Sequence, residues 1–278
     1  MLGILTIAHL TVYEARRRRV VTAALLCALA FLTVFCVATY FIDADLRQTG
    51  EPFIRRQGTL SLMTIAGLFA TNFLSVLFAV LLPVDTLSGE IDSGVMQTLA
   101  AKPVARWQIL IGKWLAHCAI VSAYLLLVAG GVLLAGFVLA GHVQINVSTA
   151  LPLMVLEAVL LVTVSIAGGT RLSTVTNGIA ALGFYGVAFI GGWVEQIGAM
   201  AGVPSARTIG TVASLISPPD ALWRRAAWEL QPPLLRDVGE TLISAVASVP
   251  SPLAVWWAVA FTVAVLAWAV RSFERRPL

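Results

Sequence analysis

The chain has 278 residues, of which 59% are hydrophobic and 12% charged, with a net charge of +4 and a mean hydropathy of +0.92. A soluble domain carries about 25% charged residues, so this composition excludes a water-soluble globular protein. The positive balance fits basic flanks of membrane-spanning helices, where Lys and Arg bias orientation, and does not point to nucleic acid as a partner.

Residues 1–19 carry Leu2, Leu5, Ile7, Leu10, Val12 and Tyr13 and end on Arg16, Arg17, Arg18 and Arg19. This pattern predicts an amphipathic helix lying in the membrane interface; a basic flank that only fixes topology is the plainer alternative. Six apolar runs follow, at 20–42, 59–84, 109–140, 150–168, 174–194 and 252–270. Runs of about 20 residues can cross the roughly 30 Å hydrocarbon core as helices. A helix satisfies its backbone polar groups internally, as lipid demands. The third run is longer than a bilayer requires, so it tilts or extends its 113–117 end into the cytosol. The first is too long for the apolar core of a cleavable signal, and no small-residue cleavage site follows it. The expected fold is all-α integral membrane, a single transmembrane domain over 1–278.

With the N-terminus inside, the inner segments hold eleven of the 18 Lys and Arg residues, and the outer segments hold seven, four of them in one long loop. The excess places both termini in the cytosol of a multi-pass protein of the plasma (inner) membrane. The long loop, 195–251, is not featureless. Residues 205–216 are mildly apolar, and Ser217-Pro218-Pro219-Asp220 reads as a helix start, because proline suits the first helical turn. Trp223 and Trp228 beside Arg224 and Arg225 have the composition of a membrane interface. Short helices on the outer leaflet are expected, broken by Pro232-Pro233, with a weaker helical stretch at 237–249. They either seal the outer end of the bundle or form an exit gate or a partner contact.

Between the second and third spans lies DTLSGEIDSGVMQTLAAKPVARWQILIGK, residues 85–113. Its acids come first (Asp85, Glu90, Asp92) and its bases last (Lys102, Arg106, Lys113). That order complements a helix dipole, and Gly89 and Gly94 permit bends or close approach of another backbone. The segment is too short for a domain and too patterned for a plain connection, which marks it as a docking element for a partner.

Several chemistries have no residues to carry them. The only Gly-Lys pair, Gly112-Lys113, has Trp107 where a phosphate loop needs glycine and Trp114 where Ser or Thr would hold magnesium. There is no HExxH and no CxxC; His9, His117 and His142 are far apart. No catalytic residue and no metal site is expected. Cys27, Cys36 and Cys118 lie in or beside apolar runs without ligand spacing and read as small core residues. Asn146-Val147-Ser148 matches a glycosylation sequon without further support. Within the spans, Glu157 is the exceptional charge. An intramembrane carboxylate is a candidate pathway residue, and a hydrogen bond to a neighbouring helix is its bland alternative. Asn72 in the second span reads as a helix–helix hydrogen bond and is a weaker pathway candidate.

Residues 85–113 resemble the signature of ABC-2-type transporter permeases, the membrane subunits of a class of ABC exporters. The matching positions are Ser88-Gly89-Glu90, Gly94, Thr98-Leu99, Pro103, Arg106 and Lys113, with Asp85 just before them. The N-terminal helix, with Glu14 before its basic run, and Ser217-Pro218-Pro219-Asp220-Ala221-Leu222-Trp223 resemble the family as well. The resemblance implies six spans, a cytosolic coupling helix between spans two and three that sits in a cleft of a separate ABC ATPase dimer, and two permease subunits per transporter, expected as a homodimer, with this chain beside a related one as the alternative. ATP and magnesium would belong to the ATPase, with no cofactor in this chain. The alternative is a scaffold or assembly subunit of an ABC complex serving an outer-side protein, as in metalloenzyme maturation. An ion-coupled secondary transporter would need a second charged intramembrane site and an inverted repeat, and the sequence has neither. The transported substrate is not readable from spans lined by Ala, Leu, Val and Gly.

Overall fold

The computed structural model describes residues 2–92, 105–232 and 248–276. Among the described residues there is no strand, and the helices in chain order are α1 (Leu2–Ala15), α2 (Arg19–Gln48), α3 (Phe53–Leu81), α4 (Ser88–Asp92), α5 (Arg106–Ala140), α6 (Val147–Gly169), α7 (Thr174–Met200), α8 (Pro204–Ile216), α9 (Pro219–Leu230) and α10 (Pro252–Glu274). Six of them, α2, α3, α5, α6, α7 and α10, are long and apolar enough to cross a membrane. Five of them contain one of the apolar runs whole, usually with extra turns at one or both ends, while α3 stops at Leu81, three residues short of the end of the 59–84 run.

Local chemistry sets several helix ends. Gly141 closes α5 in the left-handed region, at φ 64°. Its N–H bonds Phe137 O at 3.0 Å, the 5→1 bond of an αL cap, and the His142 N–H bonds Gly136 O at 3.0 Å. Pro204, Pro219 and Pro252 sit in the first turns of α8, α9 and α10, where a missing N–H costs no hydrogen bond.

The spanning helices alternate in direction. One end of the bundle, the near end, gathers the starts of α2, α5 and α7 with the ends of α3, α6 and α10. The core lies where α3, α5 and α6 meet, around fully buried Leu68, Val80, Leu125, Val128, Met154 and Leu161. The peripheral helices α2 and α10 leave Leu26, Leu29, Val34, Leu253, Trp256 and Val263 exposed, as surfaces that meet lipid or another subunit would. At the far end Asp43, itself buried, takes Arg47 at 2.7 Å and Arg56 at 2.6 Å. Arg56 also donates to Ala140 O at 3.0 Å, tying α2, α3 and α5 together.

Short helices do follow the fifth span, but not as a cover spread over the bundle end. α8 folds back along α7 through small residues. A Cβ at Gly191 would collide with Ala213, and one at Gly198 would meet Ala206 at 2.6 Å. Ser217 at the turn donates to Phe184 O at 2.7 Å. Phe184 lies ten residues into α7, about 15 Å along the helix at 1.5 Å per residue. α9 then climbs along α6 until the Asn146 side chain donates to Glu229 O at 3.1 Å. α9 therefore inserts among the spans, while α8 lies on α7 with Ile209, Val212, Leu215 and Ile216 exposed. Trp223 and Arg224, expected at an interface, are 8% and 4% exposed. Arg224 tolerates this because Asp220 and Glu195 pair with it at 2.8 and 3.0 Å. Of the stretch expected at 237–249, residues up to 247 lie outside the described ones.

Candidate functional site

The segment after α3 is bonded at the near end to the α1–α2 junction, α5 and α7. Asp85 pairs with Arg18, at the junction of α1 and α2, and Arg18 also holds Glu14 at 2.7 Å. Thr86 donates to His117 Nε2 on α5 at 3.1 Å, while His117 Nδ1 lies 2.7 Å from Lys113 O. A carbonyl only accepts, so Nδ1 carries the ring proton and Nε2 is the acceptor. Ser88 shares a 2.8 Å hydrogen bond with the Thr174 hydroxyl at the start of α7, and also donates to Val84 O at 3.2 Å. Glu90 pairs with Lys113 of α5. Asn177 of α7 donates to Val84 O at 3.0 Å and to Ser165 O at 2.8 Å, joining α3, α6 and α7 just behind.

The electrostatics follow from burial. The Lys113 and Glu90 side chains are 4% and 13% exposed. Burial pushes the Glu90 carboxyl above its ordinary range, and the Lys113 charge only partly opposes this. Burial acts on Glu14 in the same sense, but there the hydrogen bond and charge of Arg18 outweigh it and hold the carboxyl below its ordinary range.

The glycines divide by role. A Cβ at Gly112, next to Lys113, would come within 2.9 Å of Ile4 O and of Ile7 on α1. Gly112 is thus what lets α1 lie directly on α5. A Cβ at Gly89 would meet only Asp85 Cβ, at an ordinary 3.6 Å. Among the described residues, packing does not demand glycine at Gly89.

Gly94, Thr98, Leu99 and Pro103, with Lys102, lie outside the described residues. The Arg106 guanidinium, at the start of α5, donates to Arg276 O at 2.8 Å and reaches Glu274 O at 3.4 Å. Arg276 in turn donates to Thr170 O, and Thr170 to Ser272 Oγ at 3.1 Å. The structure thus brings Asp85, Ser88, Glu90 and Lys113 into one neighbourhood, while Arg106 is fixed to the last span. Arg18, Thr86, His117 and Thr174 complete the site without having stood out in the sequence. Hydroxyls and a lone histidine carry no spacing signal, and only the fold brings them within reach.

Glu157 and Asn72 are remote from these contacts and form their own pair. Asn72 on α3 donates to Glu157 Oε2 on α6 at 3.1 Å, and Glu157 is fully buried. Among the described residues, Glu157 Oε1 and Ser75 Oγ, one turn beyond Asn72, meet no hydrogen-bond partner. Among the described residues, no group of three or more His, Cys, Asp or Glu is placed to hold a metal ion.

Side chains of α4 and the turn before it thus bond the α1–α2 junction, α5 and α7, and Arg106 bonds the end of the last span. No curated protein matches the chain. The family model described as ABC-2 family transporter protein matches residues 5–278. With almost the whole chain covered, the protein belongs to the ABC-2 transporter family, as a membrane permease subunit of an ABC transporter that works with an ABC ATPase subunit.

Proposed function

We propose that this permease is the membrane half of an ATP-driven exporter, that two copies form its pathway, and that residues 85–108 take up the motion of a cytosolic ATPase pair. In this arrangement the near end faces the cytosol, and the N-terminal arginines and Arg271, Arg275 and Arg276 form its basic inner flank. The observation that carries the reading is the fourfold attachment of residues 85–90: Asp85 to Arg18, Thr86 to His117, Ser88 to Thr174 and Glu90 to Lys113. A merely solvated connection has no reason to pair its polar residues this way and to bury Thr86 and Ser88. Because the attachments reach helices on different sides of the bundle, displacement of α4 biases the spans together. Transport needs two global states that ATP and substrate bind unequally, and this junction is where such a bias enters.

The test is reconstitution of the permease with its ATPase. Glu90→Ala is expected to insert in the membrane normally while losing substrate-stimulated ATP turnover. Normal transport and turnover by that variant would remove Glu90 from the coupling route.

A further inference from the structure

The coupling route makes no use of the cleft between α3, α7 and α9. It encloses about 440 Å³, within the usual range of roughly 300–1,000 Å³ for small-molecule sites. Its walls are aromatic: Phe69 from α3, Phe189 and Trp193 from α7, and Trp223 from α9. The Phe69 and Trp223 ring centroids are 5.5 Å apart, and those of Phe189 and Trp193 are 6.2 Å apart in a T-shaped arrangement. Asp220 and Arg224 supply the charge on its lining. A Cβ at Gly192 would collide with the Asp220 carboxylate, so glycine there is what admits the acid to the wall.

The sign of the ligand follows from the partners of Arg224. Its Nε donates to Asp220 at 2.8 Å, its Nη2 contacts Ser214 Oγ and Glu195 Oε2 at 3.0 Å, and its Nη1 faces Ser248 O at 3.5 Å. All three nitrogens already face protein oxygens, so an incoming anion would have to compete with two carboxylates for them. Among the described residues the cluster sets two acids against one base, with all three side chains at most 10% exposed. An excess negative charge away from water is stabilised by a neighbouring cation, and aromatic faces attract a cation directly.

We propose that this cleft binds an amphipathic organic cation, of the quaternary ammonium or phosphonium kind, with its apolar arms against Phe69, Phe189, Trp193 and Trp223 and its charge toward Asp220. The proposal names the substrate class of the exporter proposed above and rests on that reading, although occupancy itself requires no ATP.

The experiment compares tetraphenylphosphonium with tetraphenylborate, ions of the same shape and opposite charge, for equilibrium binding to the full-length chain in nanodiscs of zwitterionic lipid. Saturable binding is expected for the cation and not for the anion. Trp193→Leu, at an exposed position, and Glu195→Gln should each weaken cation binding by roughly tenfold, the scale of a desolvated cation–π or charge contact. Absence of saturable cation binding, equal saturable binding of the borate as an apolar or lipid-filled groove would give, or unchanged cation affinity in Trp193→Leu overturns the proposal. In the complex with the ATPase the bound cation should raise ATP turnover. Saturable, charge-selective binding without that rise would leave the cleft assigned and contradict the coupling route instead.

Discussion

Lys113 on α5 and Glu90 on α4 form a buried ion pair across 23 positions of sequence, and it fixes the short helix to the span that follows it. A buried pair repays its desolvation poorly, yet breaking it by removing one partner is costly. Lys113→Met is therefore expected to destabilise the permease by about 3–5 kcal/mol, read by denaturant titration in detergent. Adding Glu90→Gln to the same chain should recover most of that loss, and a double variant no more stable than Lys113→Met would contradict the pairing.

The upward displacement of the Glu90 carboxyl gives a pH signature. A carboxyl whose folded value lies above its ordinary one near 4.5 binds its proton more tightly folded than unfolded. Its contribution is then fully present below the ordinary value and declines as pH rises through the window above it. The stability difference between the wild-type chain and Glu90→Gln should fall over that window and level off beyond it. A difference that grows with rising pH would reverse the sign argued here.

Two glycines provide a contrast between packing and docking. Gly112→Val inserts side-chain atoms where α1 already touches α5, and should cost about 1–3 kcal/mol. It should also expose α1 to protease. Gly89→Ala meets only ordinary contact within the chain and should leave the melting temperature unchanged, while copurification of the ATPase subunit falls. Equal copurification with the wild-type and Gly89→Ala chains would remove Gly89 from the docking face.

Inside the bundle, Asn72 is the hydrogen-bond donor to the buried Glu157 carboxyl. Asn72→Val leaves that group without its donor and is expected to destabilise the protein by about 1–3 kcal/mol. Combining it with Glu157→Leu should restore stability, since an apolar pair leaves nothing unsatisfied. Additive losses in the double variant would indicate that each side chain has a separate partner.

The sequence makes the six spans legible because lipid permits so few backbone solutions. Residues 85–113 are legible too, because charge order and glycines interrupt two apolar runs. Partners are harder to read. Glu157 and Asn72 each draw attention alone, but their pairing depends on the rotation of α3 against α6, which periodicity does not fix. Glu90 and Lys113 belong to one motif, yet only the return of α5 past α4 brings them together. The α8–α9 hairpin misleads for a different reason. Trp223 beside Arg224 has interfacial composition, and what draws it inward is the pairing of Arg224 with Asp220 one turn earlier and the meeting of the hairpin with Gly191, Glu195 and Gly198 on the preceding span, a contact that composition does not show.

The central claim is that the face around α4 meets the ATPase, and site-specific photo-crosslinking tests it most directly. A photoreactive residue is placed at Gly89 in one chain and at Val143, exposed at the opposite end of the bundle, in another. Each is irradiated in the assembled complex. The account predicts a permease–ATPase adduct from position 89 and none from position 143. An adduct from 143 with none from 89 would contradict it.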